Sequence, residues 1–131
     1  MSGMFLEAKE KWLDATLDIN SSDIRVMLVR STYTFDNTDE FITDLGAVDN
    51  GRSAALGSKT IANGLFDAAD TTITATAAVA CNKLIVFEHT GADATADLIC
   101  CIDITEFTPS ASQVCNIVWD AGANRIFQIT N

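Results

Sequence analysis

The chain has 131 residues, of which 48% are hydrophobic and 20% are charged, and this composition predicts one globular domain over residues 1–131. The formal net charge is −10 and the eight basic residues are scattered, so we expect neither nucleic acid nor an anionic membrane as a partner. No apolar run approaches the roughly 20 residues that span a bilayer, and the N-terminus lacks a secretory pattern. We therefore expect synthesis and folding in the cytoplasm.

The first predicted element is an amphipathic helix over residues 3–15, inside an N-terminal helical segment of residues 1–17. Ser2 is placed to cap this helix. Apolar residues recur at helical spacing along one side, and charged residues occupy the other side. We expect the apolar stripe to pack on the sheet of its own subunit. The alternative is that Phe5 and Trp12 anchor the helix on a neighbouring subunit.

Residues 18–131 are predicted to form a β-rich body, which begins with a strand over residues 24–29. Side chains there alternate with a period of two, which places one face of the strand in a core. A polar turn follows, in which Asp36 or Asn37 is expected to cap a short helix that ends at Gly46. In this prediction Glu40 reaches back to the amide of the cap residue.

Residues 47–58 are predicted to be a Gly- and Ala-rich loop with a tight turn at Asn50-Gly51. We expect the run over residues 83–90, which is apolar on both faces, to lie centrally and to pair as a hairpin with the run over residues 97–106. About seven short strands indicate a mainly β fold, an antiparallel β-sandwich or barrel with an N-terminal helix and a short helical segment after the first strand. The remaining predicted strands cover residues 59–62, 71–76, 113–120 and 125–130.

The cysteines and the single histidine indicate no reactive site. Cys81, Cys100, Cys101 and Cys115 lack the C-x-x-C spacing of metal and redox sites, so we expect small, buried, reduced side chains in strands. A crosslink between subunits remains the alternative. His89 lies at a predicted strand end, and we assign it no role.

Carboxylates occur in close pairs, but their order does not match a calcium-binding loop. Turn and cap roles explain them, so we predict no catalytic, cofactor or metal site and no enzyme activity, with a surface Ca²⁺ or Mg²⁺ as the alternative. The glycine-rich stretches also lack the order of a phosphate-binding loop. The carboxylate pairs are Asp36 with Asp39, Asp67 with Asp70, Asp93 with Asp97, and Asp103 with Glu106.

Five short segments occur in order over most of the chain: IRVML at 24–28, YTFD at 33–36, KTI at 59–61, GLFDAAD at 64–70 and VWD at 118–120. In these segments the sequence resembles small structural proteins of tailed-bacteriophage virions. The resemblance implies a place in the virion, where we favour the capsid surface and a decoration or cement role. A neck or tail position is the alternative within the virion.

The resemblance further implies protein–protein contacts with the major capsid protein or another virion protein. We expect a homo-oligomer, and a trimer is the natural guess for a cement protein. A small ligand-binding β-barrel, with a cavity lined by Phe87, Trp119 and Phe127, is the alternative outside the virion. Large aromatics, loops and the acidic turn supply the candidate contact residues, which are Phe5, Trp12, Phe35, Asp39, Glu40, Arg52 and Leu56.

Overall fold

The computed structural model describes residues 3–120 and 126–128 and confirms a mainly β fold, an antiparallel sandwich. Within these residues there are ten strands, helix α1 over Leu6–Leu13 and a 3-10 helix over Ile42–Leu45. The strands are β1 (Gly3–Met4), β2 (Ile24–Arg30), β3 (Asp49–Arg52), β4 (Thr60–Ala62), β5 (Leu65–Asp67), β6 (Thr71–Thr74), β7 (Cys81–Glu88), β8 (Leu98–Phe107), β9 (Val114–Ile117) and β10 (Phe127–Gln128).

The largest sheet has five antiparallel strands in the order β1-β8-β7-β2-β3. Strand β7 lies at its centre, and β7 pairs with β8 in the predicted hairpin, so both predictions are confirmed. Strand β2 is also confirmed, and both of its faces are buried. Val26 and Leu28 point into one core while Met27 and Val29 point into another, as the period of two requires.

The main core lies between the five-stranded sheet and two smaller sheets, which have the orders β10-β5-β4 and β6-β9. Leu84 and Val86 contribute from the large sheet, and Phe66, Ile73 and Trp119 contribute from the opposite layer. Burial of these side chains between the two layers is what holds the sandwich together.

A second core covers the other face of the five-stranded sheet. The segment between β2 and β3 folds back over that face and buries Tyr33, Ile42, Leu45 and Val48 against it. Phe5 joins this core and is 0% exposed. The large sheet is therefore covered on both faces, which explains why its central strands are apolar on both sides.

The N-terminal helix begins later than predicted. Gly3 and Met4 pair with Cys101 and Cys100 as an edge strand, and the helix starts only after Phe5, whose backbone is extended. The hydrogen bonds to β8 satisfy the backbone there and override the helical pattern. The predicted cap, Ser2, lies outside the described residues.

The short helical segment predicted after β2 is present, but it is limited to the last turn of the predicted range. Residues 37–41 form a turn and an extended bridge, in which Phe41 pairs with Asp97, and only the 3-10 helix remains. Asp44, and not Glu40, caps this helix, since its Oδ2 accepts hydrogen bonds from the backbone N–H groups of Glu40 (3.0 Å) and Phe41 (2.8 Å). The helix ends at Gly46, whose φ of 75° is the predicted stop signal.

The predicted loop over residues 47–58 contains strand β3, which pairs with β2. Asn50-Gly51 lies inside this strand and forms no tight turn. Gly51 has a φ of 128°, and a Cβ there would lie 2.4 Å from the carbonyl oxygen of Thr74. The tight turn forms instead at Asn63-Gly64, where φ is 53° and 75°, and it connects β4 to the unpredicted strand β5.

The remaining strand predictions agree with the structure in position. Strands β4, β6 and β9 fall inside their predicted ranges. Strand β10 covers the middle of the predicted run over residues 125–130; Ile126 before it is described and buried, and residues 125, 129 and 130 lie outside the described ones. All four cysteines are buried and free, which confirms the prediction that they pack as small apolar side chains.

Candidate interaction surface

The outward face of α1 exposes two large apolar side chains. Leu13 is 89% exposed and Leu6 is 42% exposed. They are seven residues apart, which is close to two helical turns, so both side chains point the same way. This apolar stripe, Leu6 with Leu13, has no cover within the described part of the chain.

The inward face of α1 and the residues around it pack on the same chain. Ala8 is fully buried, and the ring of Trp12 stacks on Phe127 with centroids 5.6 Å apart. Phe5 meets Phe35 edge to face at 5.2 Å. The sequence predicted that the apolar side of the helix packs on its own subunit, and this is confirmed for Phe5, Ala8 and Trp12. Phe5 is consequently closed to a partner in this conformation.

Lys11 fixes α1 against the body of the protein. Its ammonium group donates to Asp97, lies 3.6 Å from Glu40 and 3.8 Å from Glu7, and sits 5.0 Å from the centre of the Phe41 ring. Partial burial acts to lower the pKa of Lys11, but the hydrogen bond and charge of Asp97 outweigh it, with help from both glutamates, and the pKa is raised. The predicted contact residue Glu40 is thus part of an internal ion-pair network.

The acidic turn after β2 is held by its own hydrogen bonds. Asp36 Oδ1 accepts from the backbone N–H of Thr38 at 2.9 Å and from its hydroxyl at 2.7 Å, and these bonds lower the pKa of Asp36. Tyr33 donates its hydroxyl to Asp39 Oδ2 at 2.9 Å. Burial raises the pKa of both Tyr33 and Asp39. Asp36 and Asp39 therefore serve the turn, as the sequence indicated.

Arg52 and Leu56 are both engaged within the chain. The guanidinium of Arg52 binds Asp49 and Asp93 and lies 5.6 Å from the centre of the Phe87 ring. These hydrogen bonds outweigh the effect of burial and raise its pKa. Leu56 is 5% exposed and belongs to the main core, so its side chain cannot contact a partner in this conformation. The contact role of Arg52 stays a prediction, since its side chain is partly exposed.

The aromatics proposed to line a ligand cavity do not meet. Trp119 and Phe127 lie in the main core, whereas Phe87 lies in the second core on the opposite face of the sheet. Trp119 is pinned in place, since its Nε1 donates to the carbonyl of Ala69 at 3.2 Å and its backbone N–H donates to Asp70 Oδ1 at 2.9 Å. The three rings fill two separate cores and form no common pocket.

Further apolar side chains are exposed on the smaller sheets and directly after β9. Val118 is 73% exposed, Val114 is 59% exposed and Ile61 is 54% exposed. The alternation over residues 113–120 already placed Val114 and Val118 on the face opposite Cys115. The sequence contained this signal, and only the exposure of that face was missed.

Over residues 3–120 and 126–128, no three His, Cys, Asp or Glu side chains come together in a group that would hold a metal ion. Among the same residues, no helix is long and apolar enough to cross a membrane. Comparison with protein-family models, with curated proteins and with solved structures finds no match to the chain.

Proposed function

We propose that the chain is a structural protein of a bacteriophage virion, a capsid decoration or cement protein that stabilises the shell through protein–protein contacts. The resemblance of five ordered segments to small virion proteins supports this role. The net charge of −10 also suits a position on the outer surface better than one against packaged DNA.

The observation that carries the proposal is the exposed stripe of Leu6 and Leu13 on α1. The rest of α1 is anchored by the Trp12 stack and the Lys11 network, so the stripe is presented on a rigid element. Apolar side chains on a rigid, unpaired face are typical of a binding surface. The partner is the major capsid protein or another virion protein.

The proposed mechanism is repetition of a weak contact. One stripe of two leucines buries too little area to bind tightly by itself. A homo-oligomer, with a trimer as the simplest case, presents several copies at once, and the symmetry of a shell repeats them further. The summed contacts would resist expansion or loss of shell subunits.

The stoichiometry of purified particles tests this function. Quantitative mass spectrometry of intact virions is expected to find this chain at hundreds of copies per particle. About a dozen copies or fewer would place the protein in a neck or tail ring instead, and absence from the particle would end the proposal.

A pair of variants tests the surface. Leu13→Ser should leave the fold intact, because the side chain is 89% exposed, but it should reduce incorporation into particles. Val114→Ser is the matched control, since it also removes an exposed apolar side chain but lies on β9. Equal incorporation of both variants would remove α1 as the contact surface.

A further inference from the structure

Arg30, the last residue of β2, has no partner for its charge. Its Nε–H is buried, and no described residue supplies an acceptor for it. Its guanidinium forms no ion pair with any of the 18 Asp and Glu side chains, all of which lie within the described residues. An arginine without a counter-ion is unusual in a chain of net charge −10. Other basic side chains do bind carboxylates, in the pairs Lys11–Asp97, Arg25–Asp23, Arg52–Asp93 and Lys83–Asp103.

Three segments without any carboxylate surround Arg30. Arg30 pairs with Cys81 on β7, and Cys81 pairs with Phe107 on β8. On the facing layer, the backbone N–H of Ala75 donates to the carbonyl of Gln113 at 2.8 Å. Residues 30–32, 75–81 and 107–113 therefore meet at one end of the sandwich, and none of them is Asp or Glu. We call this region the carboxylate-free end.

The strand period fixes the face of the sheet on which Arg30 lies. Leu28 points into the main core, and so does Cys81, the cross-strand partner of Arg30, so Arg30 continues that face. Burial raises the pKa of the Cys81 thiol, and the nearby charge of Arg30 opposes this effect. Asp49 pairs with Val29, so its carboxylate lies on the opposite face, where it binds Arg52. The guanidinium of Arg30 is thus left among neutral groups.

We propose that Arg30 binds the carboxylate of an Asp or Glu side chain from a partner protein. Arg30 is half-buried, so its side chain is held in place and can still be reached from outside. Its two terminal nitrogens make no hydrogen bond with a described residue. Their parallel N–H groups match the two oxygens of a carboxylate, which gives a short, charge-assisted pair.

A carboxylate fits this site better than a phosphate does. One guanidinium balances the single negative charge of a carboxylate, whereas a phosphate monoester carries close to two charges at neutral pH. Arg30 is the one Lys or Arg in the sequence of the carboxylate-free end, so no second cation is at hand there. The net charge of −10 also opposes a nucleic acid. The partner is therefore an acidic segment of a protein.

The site lies far from the apolar stripe on α1. Strand β8 begins at Leu98, next to Asp97, which binds Lys11 of α1. The same strand ends at Phe107 beside Cys81. The carboxylate-free end and α1 are consequently at opposite ends of the large sheet, so the chain can bind two partners at once.

A titration of the purified chain with blocked peptides tests the proposal. The probes are the acidic peptide Ser-Glu-Ser-Glu-Ser, the same peptide with Gln in place of Glu, and inorganic phosphate. Binding is followed by the NMR signal of the Arg30 Nε–H group, which is assigned by its loss in Arg30→Gln. We expect a saturable shift with the acidic peptide and at least about tenfold weaker binding of the Gln peptide.

Variants locate the site. Arg30→Gln should weaken binding of the acidic peptide at least about tenfold, and Arg30→Lys should fall between this variant and wild type, because lysine keeps the charge but loses the paired donors. Arg25→Gln is the matched control on the same strand. Since Arg25 already binds Asp23, this change should alter binding by less than about twofold.

The stability of the free chain separates a binding role from a structural one. Arg30→Met keeps most of the side-chain volume and removes a buried donor that has no acceptor among the described residues. Its melting temperature should therefore equal or exceed that of wild type. A melting temperature lowered by more than about 2 °C would show that Arg30 has an acceptor within the chain, and it would overturn the proposal.

Three titration results would also overturn it. These are no shift of the Arg30 signal, equal binding of the Gln peptide, or tighter binding of inorganic phosphate. A shift that grows with protein concentration alone, and is lost in Arg30→Gln, would support the site and identify the partner as a second copy. Because the test needs no virion, its failure leaves the particle stoichiometry, and with it the proposed function, to be judged separately.

Discussion

The guanidinium of Arg52 meets the carboxylate of Asp93 through two parallel hydrogen bonds, Nη1 to Oδ1 at 2.7 Å and Nη2 to Oδ2 at 2.9 Å. Forty-one residues separate the two in sequence. Arg52 Nε also donates to Asp49 at 2.7 Å. The pair joins the edge strand β3 to the loop between β7 and β8, so one side chain ties together two segments that the sequence places far apart.

Loss of this pair should be visible in the pH dependence of stability. The hydrogen bonds and charge of Arg52 lower the pKa of Asp93 from its usual 3.8. The stabilisation is therefore present above 3.8 and disappears as the pH falls through the lowered pKa. Asp93→Asn should reduce the free energy of unfolding at neutral pH by about 0.5–1 kcal/mol, because the pair is partly exposed.

Urea denaturation at neutral pH and at pH about 2 measures this effect. The difference in the free energy of unfolding between wild type and Asp93→Asn should fall to near zero at the acidic pH. Glu10→Gln is the control, since it removes one negative charge from an exposed position on α1. A difference that persists unchanged in acid would contradict the assigned ion pair.

Gly51 should be the glycine least tolerant of substitution in the large sheet. A Cβ at this position would lie 2.4 Å from the Thr74 carbonyl oxygen and 2.8 Å from Ile73 Cγ2, and its φ of 128° disfavours any other residue. Gly51→Ala is expected to cost about 2–4 kcal/mol in chemical denaturation. Gly57→Ala, where nothing lies within 4 Å, should change stability by less than about 0.5 kcal/mol. Similar losses of stability for both variants would show that β6 does not contact Gly51 at these distances.

The two Asn-Gly pairs, Asn50-Gly51 and Asn63-Gly64, should deamidate at different rates. Deamidation requires the amide nitrogen of the glycine to attack the asparagine side chain, and a folded environment that holds both groups prevents it. Asn50 is fully buried, its amide bonds to Thr76 and Ala77, and Gly51 N–H is held by Asp49 Oδ1 at 2.8 Å. Asn63-Gly64 is an exposed turn.

Peptide mapping of the native protein after incubation at mildly alkaline pH should therefore find conversion at Asn63 before Asn50. In urea the two positions should convert at similar rates, because unfolding removes the constraint. Faster conversion at Asn50 in the native protein would mean that β3 opens readily.

The same Asn50 shows where sequence reasoning reached its limit. Locally, Asn50-Gly51 is a turn signal, and only partners at residues 74–81 convert it into a buried strand position. Strands β2, β7 and β8 were predictable because their side chains alternate over seven or more residues. Strand β1 has two residues, which is too short for any period, so its pairing with β8 could not be predicted.

The candidate surface was predictable only in part. The sequence identified α1 and its apolar residues, but Leu6 and Leu13 belong to the same broad apolar set as Ala8 and Trp12. Which of these side chains face solvent is decided by where the helix docks. That docking depends on β1 and on the partners of Lys11, both of which are tertiary contacts.

The two tryptophans allow a comparison of a buried indole N–H that has an acceptor with one that has none among the described residues. Trp119 Nε1 donates to Ala69 at 3.2 Å, whereas Trp12 Nε1 is buried with no acceptor among the described residues. Replacement by Phe removes a similar volume at both positions, but only Trp119→Phe leaves a carbonyl without its donor. We expect Trp119→Phe to lower the free energy of unfolding by at least about 1 kcal/mol more than Trp12→Phe.

Urea denaturation of both variants measures the difference, and the stack of residue 12 on Phe127 should survive as a Phe–Phe contact. If Trp12→Phe costs as much as Trp119→Phe, then Trp12 Nε1 has an acceptor in solution.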